Sequence, residues 1–534
     1  MKFLYNPRNR WIALLFSVIV LLTYRDVWFI YFQQDEWFWF KKILLFDHYG
    51  IWNHFQVVSN HFTPLFSLQF DLMMRLFGFN TFFYGLYNFV LHYINTVLVF
   101  VFAKKVTRSE KIGIIAGALF AVAATPVEAV TWYGTSPMSL PSTTCGLFAL
   151  LLFHSYLQKG QIKKLIQSLA LIIIGSLFYE SLIALFLFLI VWALIEKRNR
   201  KDTISWSMLV GVLFFIFRSL LQVTQGITIK VSYATYLATV VHHLIKFIPL
   251  GFSQLFVPTE WVYQTSLALI QYNQPDILQM IPKEWDMYFN LDNLMRTFFL
   301  SFTVIIVLSL LIYIAIPFAQ RERKKYIILF FLFCIINFLP FSLLPQSGLE
   351  SRHFYFITIG SSVMLGIIIE RFFEKIGSPI GKLLIIFLVT YYMGFQIHFI
   401  RDAVVALGRV SAVRATIVHD VVSTYKTVPP RVIFYSTTGV LPFQSGFGET
   451  LMVNYASQHS YIPFFKTEFL THMGEQGYQE MDGVGFGYFS EYALLKQAYD
   501  AYHLQPSDVY AFAWDNVNKK LIDQSVQIRA KLSQ

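Results

Sequence analysis

Charged residues are scarce in this chain. Asp, Glu, Lys and Arg make up 14% of its 534 residues, while 56% are hydrophobic and 18% are aromatic. Soluble domains are about one quarter charged. A soluble fold of this length could not hide so much apolar surface, whereas lipid can contact it directly. The composition therefore excludes a soluble protein and predicts an α-helical polytopic membrane protein.

Cysteines and metal-binding motifs are also few. Cys145 and Cys334 are the two cysteines, and both fall inside apolar runs, so a disulfide framework is excluded. The sequence has no HExxH or CxxC motif, no P-loop and no Rossmann glycine fingerprint. No cofactor is therefore certain. One carboxylate together with a substrate phosphate could still hold a divalent ion, magnesium or manganese.

The formal charge of +11 would suit a nucleic-acid-binding protein, but its distribution argues against that function. Basic residues stand in short clusters between apolar runs. Alternate connections, beginning with residues 1–10, hold 21 Lys and Arg, and the opposite connections hold 8 over a far longer stretch. Cytoplasmic loops carry such an excess. We expect no nucleic-acid partner, a cytoplasmic N-terminus and a multi-pass protein of the cell membrane.

A membrane-spanning helix needs about 20 apolar residues, and the sequence contains about eleven segments of this kind. The first follows Lys2, Arg8 and Arg10, a start that would also suit a signal peptide. Because no small-residue cleavage site follows, an uncleaved span is favoured. An odd number of spans places the C-terminus outside. The predicted spans are 11–30, 83–103, 112–126, 137–157, 165–178, 181–195, 204–221, 297–319, 326–344, 354–369 and 383–400.

These spans define a transmembrane domain over residues 1–400, with long outer loops at 31–82 and 222–296. Each loop contains an amphipathic stretch, Trp37–Leu45 in the first and Tyr233–Leu250 in the second. Such stretches suit helices that lie in the membrane interface.

The composition changes at about residue 401, where the hydrophobic runs end. Residues 401–534 are predicted to form a small α/β domain outside the membrane. Its predicted elements are the strands Val432–Ser436 and Val509–Trp514 and the helix Tyr488–Tyr502.

Ionisable residues at a membrane edge are costly and therefore point to function. The first candidates are Asp35 and Glu36, just past the outer end of the first span. Partial desolvation would raise the pKa of a carboxyl group there toward the range of a general base. The alternative is a solvated pair at a helix N-terminus, which the helix dipole favours.

Three further candidates lie at outer turns: His61 before Pro64, Glu128 between the third and fourth spans, and Glu180 where two apolar runs meet. An interfacial histidine is the commoner explanation for His61, and each glutamate could simply anchor a helix end. A fifth candidate is Glu350-Ser351-Arg352-His353. The guanidinium of Arg352 suits a lipid-linked phosphate, and the alternative is an ion pair with Glu350. All five candidates fall on the predicted outer side.

Several of these motifs resemble one family. Asp35-Glu36 looks like the acidic motif of the first outer loop in protein O-mannosyltransferases. His61–Leu65 and Tyr87–Asn95 resemble the run that enters the second span, and Pro126–Trp132 resembles a short turn after the third. Glu350–Tyr355 is similar to a late Glu-Arg-aromatic motif. The chain thus resembles the GT-C superfamily of polytopic glycosyltransferases over most of residues 25–370.

Within that superfamily the chain looks most like bacterial polyprenyl-phosphate-sugar transferases and the mannosyltransferases with tetratricopeptide repeats, although the repeats are missing. The resemblance implies transfer of a monosaccharide from a polyprenyl-phosphate donor to a glycan, lipid or protein acceptor, with inversion. Asp35, assisted by Glu36, would be the base. Arg352 and Lys246 would bind the phosphate, and His353, His61, Glu128 and Glu180 would line the substrate site.

Two other classes of function remain open from the residues alone. A transporter or lipid flippase would use polar groups near the bilayer midplane and broken helices, and Arg218 and Pro340 are the features that favour it. A membrane scaffold without chemistry would leave Asp35 unexplained.

Overall fold

A computed structural model describes most of the chain. The described residues are 7–33, 35–49, 51–57, 61–224, 233–257, 321–342, 350–438, 447–456, 458, 485–501, 504–515 and 517–534.

The first part of the described chain is a succession of helices joined by short turns. The helices are α1 (Pro7–Tyr24), α2 (Asp35–Tyr49), α3 (Pro64–Phe77), α4 (Thr81–Thr107), α5 (Glu110–Ala121), α6 (Glu128–Thr131), α7 (Ser136–Lys159), α8 (Ile162–Phe178), α9 (Ala184–Glu196), α10 (Arg200–Thr224) and α11 (Tyr233–Gln254). Single 3₁₀ turns lie at Val27–Phe29, Ile51–Phe55 and Glu180–Ile183.

Three more long helices follow in the described chain: α12 (Arg321–Ser342), α13 (Phe354–Lys375) and α14 (Pro379–Thr424). A 3₁₀ turn, Ser351–His353, immediately precedes α13. The helix α14 passes straight through residue 400, where the sequence predicts the end of the transmembrane domain. The division of the chain at that residue stays a prediction.

Helix boundaries follow local capping chemistry. The side chain of Asn80 accepts a hydrogen bond from the Phe82 N–H at the start of α4, and Ser109 accepts one from the Ile112 N–H at the start of α5. Such side chains satisfy N–H groups that lack a partner within the helix. Gly160 ends α7 with φ +70°, a left-handed conformation that favours glycine. The turns between spans are therefore encoded locally.

The described chain contains seven helices that are long and apolar enough to cross a membrane. Each predicted span coincides with a helix except 297–319, which lies outside the described residues. The helices α5, α8 and α9, with 12, 17 and 13 residues, are shorter than a full span. The protein is thus an α-helical multi-pass membrane protein, and the number of its spans stays a prediction.

A four-stranded sheet lies near the C-terminus, with strand order β2-β1-β3-β4. Its strands are β1 (Arg431–Ser436), β2 (Gly485–Phe489), β3 (Val509–Asp515) and β4 (Lys520–Asp523), and three helices accompany them, α15 (Phe447–Tyr455), α16 (Tyr492–Ala501) and α17 (Ser525–Leu532). The strand β1 pairs in parallel with β2 and β3, and β4 pairs antiparallel with β3.

This sheet confirms the predicted strands at 432–436 and 509–514, and it corrects the predicted helix Tyr488–Tyr502. Tyr488 and Phe489 belong to β2, and the helix begins only at Tyr492. The reason is that Phe486 and Tyr488 pack into the core under the sheet.

The first long loop begins with a mostly buried helix. Trp37, Phe38 and Phe40 of α2 are all buried, so this helix has protein on more than one side. Its place in the membrane interface stays a prediction. In the same loop it is α3 that exposes apolar side chains, Leu72 and Leu76, opposite its buried Phe66 and Phe70. The predicted stretch Tyr233–Leu250 falls in α11, and the rest of the second loop, from residue 258, lies outside the described residues.

Candidate functional site

The acidic pair Asp35–Glu36 occupies the first turn of α2. At a helix N-terminus the aligned peptide dipoles and free N–H groups stabilise negative charge. The two side chains differ in environment, because Asp35 is half-buried whereas Glu36 is completely buried. Asp35 can therefore meet a substrate, and Glu36 cannot without local opening.

Glu36 is held by two backbone donors. Its Oε2 accepts a hydrogen bond of 3.0 Å from the Gln33 N–H, and its Oε1 accepts one of 2.9 Å from the Gly134 N–H. Burial nevertheless raises the pKa of Glu36 to about 7, and these backbone donors oppose the rise. Glu36 thus ties the start of α2 to the turn that precedes α7.

Arg352 lies in the 3₁₀ turn before α13 and makes two contacts. Its guanidinium forms an ion pair with Glu350, and its Cζ lies 5.0 Å from the ring centroid of Trp132. A guanidinium that lies over an indole ring keeps its N–H groups in its own plane, where they can still donate hydrogen bonds to oxygen atoms. The ion pair that the sequence offered as an alternative is present.

Glu128 begins α6 and faces the same turn. Its N–H donates to Ser351 Oγ at 3.1 Å, and Ser351 Oγ donates in turn to the Thr125 carbonyl at 2.6 Å. The Arg352 backbone hydrogen-bonds to the Glu128 carboxyl, whose Oε2 is buried and has no hydrogen-bond partner. Burial raises the pKa of Glu128, and the charge of Arg352 opposes the rise.

Asp35 shares these electrostatic neighbours. Burial raises its pKa, the charge of Arg352 lowers it, and the charge of Glu350 raises it again, with a net increase. One guanidinium therefore faces three carboxyl groups, those of Asp35, Glu128 and Glu350, which come from parts of the chain far apart in sequence. This arrangement combines a weakly acidic carboxyl with a fixed cation.

His61 and Glu180, which are far apart in sequence, lie next to each other in the structure. Glu180 Oε1 accepts hydrogen bonds from the Phe62 N–H at 2.9 Å and from Arg218 Nε at 3.0 Å, and its Oε2 lies 3.5 Å from His61 Nδ1. Burial would raise the pKa of Glu180, but the partners His61 and Arg218 outweigh it and hold the pKa below its usual value. The substrate role of His61 and Glu180 stays a prediction.

A pair of stacked rings connects the two clusters. The Tyr179 ring lies 6.5 Å from the ring of His353, and His353 stacks on Phe341 at 4.3 Å. His353 Nδ1 also accepts a hydrogen bond of 3.1 Å from the Glu350 N–H. All five sequence motifs therefore lie in one connected region, with His353 as a support for the turn that carries Arg352.

Two further expectations are harder to place. Lys246 falls within α11, but its side chain lies outside the described residues. For a metal ion, the described ranges contain no group of three or more His, Cys, Asp or Glu side chains that could hold one. The divalent ion held by one carboxylate and a substrate phosphate stays a prediction.

Sequence reasoning missed Gly134. A Cβ atom at this position would lie 3.2 Å from the Asp35 Cβ and 3.2 Å from Trp132 Nε1. Such a contact is tighter than ordinary van der Waals packing, so glycine allows the turn before α7 to approach Asp35. A glycine two residues after Trp132 is the sequence signal for this approach, and it is a weak one.

Comparison with known proteins agrees with the motifs. Residues 61–221 match the family model of dolichyl-phosphate-mannose-protein mannosyltransferases. The resemblance to GT-C glycosyltransferases is confirmed. The matched segment contains Glu128, Gly134 and Glu180, while Asp35 and Arg352 lie outside it. No curated protein matches the chain significantly.

Two solved structures are similar to this chain. The first is ArnT from Cupriavidus metallidurans bound to undecaprenyl phosphate, with a TM-score of 0.46, 10% identity, and coverage of 95% of this chain and 93% of that one. The second is the oligosaccharyltransferase AglB from Archaeoglobus fulgidus in complex with an inhibitory peptide and a dolichol-phosphate. Its TM-score is 0.41 at 12% identity, over 83% of this chain and 63% of that one. At these identities neither assigns a role to a residue here.

Proposed function

We propose that this protein is a membrane glycosyltransferase that moves a monosaccharide from a polyprenyl-phosphate donor to an acceptor hydroxyl group. The observation that carries the proposal is that the half-buried Asp35 and Arg352 lie close enough for their charges to interact, in a chain of long apolar helices. The family model matched by residues 61–221 supports the class of donor, because its description names a lipid-linked sugar phosphate.

The proposed reaction is a single displacement. Asp35 takes the proton of the acceptor hydroxyl as its oxygen bonds to the anomeric carbon of the sugar. The bond from that carbon to the phosphate oxygen breaks at the same time, and its electron pair leaves with the polyprenyl phosphate. Arg352 stabilises the charge that develops on the leaving phosphate. Attack opposite the leaving group inverts the anomeric configuration.

The electrostatics of the site support these two roles. A base works best with a pKa near the operating pH, and burial moves the pKa of Asp35 in that direction. The planar guanidinium of Arg352 matches the geometry of phosphate oxygens, and a donor phosphate would replace or share its partner Glu350. The carboxyl groups of Glu36 and Glu128 are proposed to contribute to the electrostatic environment of Asp35 and Arg352.

We further propose that the site opens on the extracytoplasmic face and that the C-terminal sheet lies on the same side. The excess of Lys and Arg in the opposite connections supports this orientation. The position can be tested in intact cells with Gln56→Cys, an exposed site near α2, against Gln161→Cys, an exposed site between α7 and α8. An impermeant maleimide should label the first and spare the second; the reverse pattern contradicts the orientation.

The activity itself can be tested with purified protein in lipid nanodiscs. Offered a set of polyprenyl-phosphate sugars and acceptors, the wild-type protein should release polyprenyl phosphate and form a glycoside. Asp35→Asn should reduce the rate by at least about 100-fold, within the usual range for loss of a general base, while keeping the wild-type melting temperature. Asp500→Asn, on the exposed surface of α16, is the matched control.

A normal rate in Asp35→Asn would show that the base is another residue. Movement of a lipid or sugar across the membrane without a glycosyl product would instead support a transporter. Arg218, which favoured a transporter from the sequence alone, forms an ion pair with Glu180. Its presence near the end of a span therefore does not require a transport function.

A further inference from the structure

The helix α2, which carries Asp35 and Glu36, contacts the C-terminal part of the chain. Lys41 of α2 lies 3.8 Å from Glu449 of α15, measured from Nζ to Oε1, and each side chain is 2% exposed. Lys41 lies 1.4 helical turns after Glu36, at 3.6 residues per turn. Two buried charges are strongly destabilising unless they stay together, so this pair fixes α15 against α2.

Two other contacts come from α14. Ser411 Oγ donates to the Tyr31 carbonyl at 3.5 Å, four residues before α2 begins. Arg414 is buried and lies close enough to Glu36 for the two charges to interact. The C-terminal part of the chain thus contacts the segment before α2 through Ser411, the first turn of α2 near Arg414, and the middle of α2 through Glu449.

Apolar packing joins the same elements. Val453 of α15 is buried in the hydrophobic core of the helix bundle. Tyr31 packs against the cluster beneath the C-terminal sheet as well as against the bundle. The two cores therefore meet around α2, and an independent module tethered by a linker would not show such an interface.

From these contacts we propose that the C-terminal domain is a positioning element of the catalytic site. The buried pair Lys41–Glu449 sets the position of α2, while Ser411 holds the backbone before it and Arg414 lies near its first turn. Together these contacts keep Asp35 near Arg352. This inference rests on the proposed function of Asp35. It assigns Lys41 and Glu449 as positioning residues, since neither is placed in contact with substrate.

The test uses full-length protein and the variants Glu449→Gln, Lys41→Met and the double variant. Each single variant should lower kcat per folded molecule about tenfold and leave the donor KM within about twofold, because misplacement of a base slows chemistry more than binding. The double variant should be less impaired than the product of the single effects, since the second substitution removes an ion pair that the first has already broken. Asp500→Asn is again the control.

Hydrogen exchange supplies a readout that does not depend on activity. Glu449→Gln should speed exchange of the Gly134 amide, which Glu36 protects, and of the amides in 35–41; Asp500→Asn should change neither. If wild-type protein transfers sugar and Glu449→Gln changes neither kcat nor exchange, the inference is wrong. Lower yield of folded protein with unchanged kcat and exchange also overturns it. If the exchange changes as expected but wild-type protein transfers no sugar, the proposed function is wrong. The positioning of α2 by the C-terminal domain is then still supported.

Discussion

The Gly134 N–H donates to the carboxylate of Glu36, a residue 98 positions earlier in the chain, at 2.9 Å. This bond connects the first turn of α2 to the turn between α6 and α7. Because it is buried, water cannot replace either partner, and loss of the bond would leave a polar group unsatisfied. The position of Asp35 next to Glu36 therefore depends on the backbone at Gly134.

Gly134→Ala should impair activity through this contact. The added methyl group would lie 3.2 Å from the Asp35 Cβ, so that side chain would have to shift by a few tenths of an ångström. We expect kcat to fall by about tenfold, since displacement of a catalytic group by about 1 Å costs about 100-fold and this shift is smaller. Steady-state kinetics with the lipid-linked donor provide the measurement.

Gly408→Ala is the matched control for that substitution. A Cβ at Gly408, within α14, meets nothing within 4 Å. Alanine in a helix interior is more stable than glycine by roughly 0.5–1 kcal/mol, so this variant should melt slightly higher and keep full activity. Equal losses of activity in both alanine variants would contradict a specific role for Gly134.

The pH dependence of activity should report the neighbours of Asp35. A general base must be ionised, so the rate should fall as pH drops through the pKa of Asp35, which burial raises above its ordinary value. Glu350→Gln removes a negative charge that raises this pKa, and the acid limb of the kcat/KM profile should move to lower pH. Arg352→Gln should move it to higher pH and slow the reaction. If neither substitution moves the acid limb, the group that titrates there is not Asp35.

Stability should also depend on pH through Glu36. Its folded-state pKa of about 7 exceeds the ordinary value of 4.5, so the folded state binds a proton more tightly than the unfolded state does. The stabilisation is fully present below pH 4.5 and is lost as pH rises to about 7, a change of roughly 3 kcal/mol. The melting temperature of the wild-type protein should therefore decline between those pH values, and Glu36→Gln should make this decline smaller. An unchanged slope would contradict the raised pKa of Glu36.

The cluster around Glu180 offers a test of structure against substrate binding. Arg218→Met removes one partner of a mostly buried carboxylate and should destabilise the protein by roughly 1–3 kcal/mol, measured as a lower melting temperature. If Glu180 and His61 only hold the chain together, the donor KM should stay within about twofold. A tenfold higher KM at an unchanged melting temperature would support the substrate role that the sequence indicated.

Much of the helical architecture was predictable because its signals are local. The spans around α4 and α7 are long apolar runs with capping residues at their ends, and β1 and β3 are rich in aromatic and β-branched residues. The strand β2 was missed since Gly485 and Gly487 weaken its strand pattern. Its partner β1 lies more than 50 positions away, and that pairing is a tertiary effect.

The site was predictable only in its parts. Charge counts and span order placed Asp35, Glu128 and Arg352 on one side of the membrane, and the structure joins them around one guanidinium. The contact between Lys41 and Glu449 joins two distant parts of the chain, and no spacing rule could show it. A polar helix face can be covered by protein or by water, and sequence periodicity does not distinguish the two.

The 46 residues of α14 form one uninterrupted rod that runs from exposed apolar side chains such as Leu383 to buried Arg414 beside Glu36. At 1.5 Å per residue the rod is about 69 Å long. A change of tilt by about 5° at its lipid-facing end would displace the other end by roughly 6 Å. Since bilayer thickness biases helix tilt, the lipid composition around this protein should alter its turnover even when donor and acceptor stay the same.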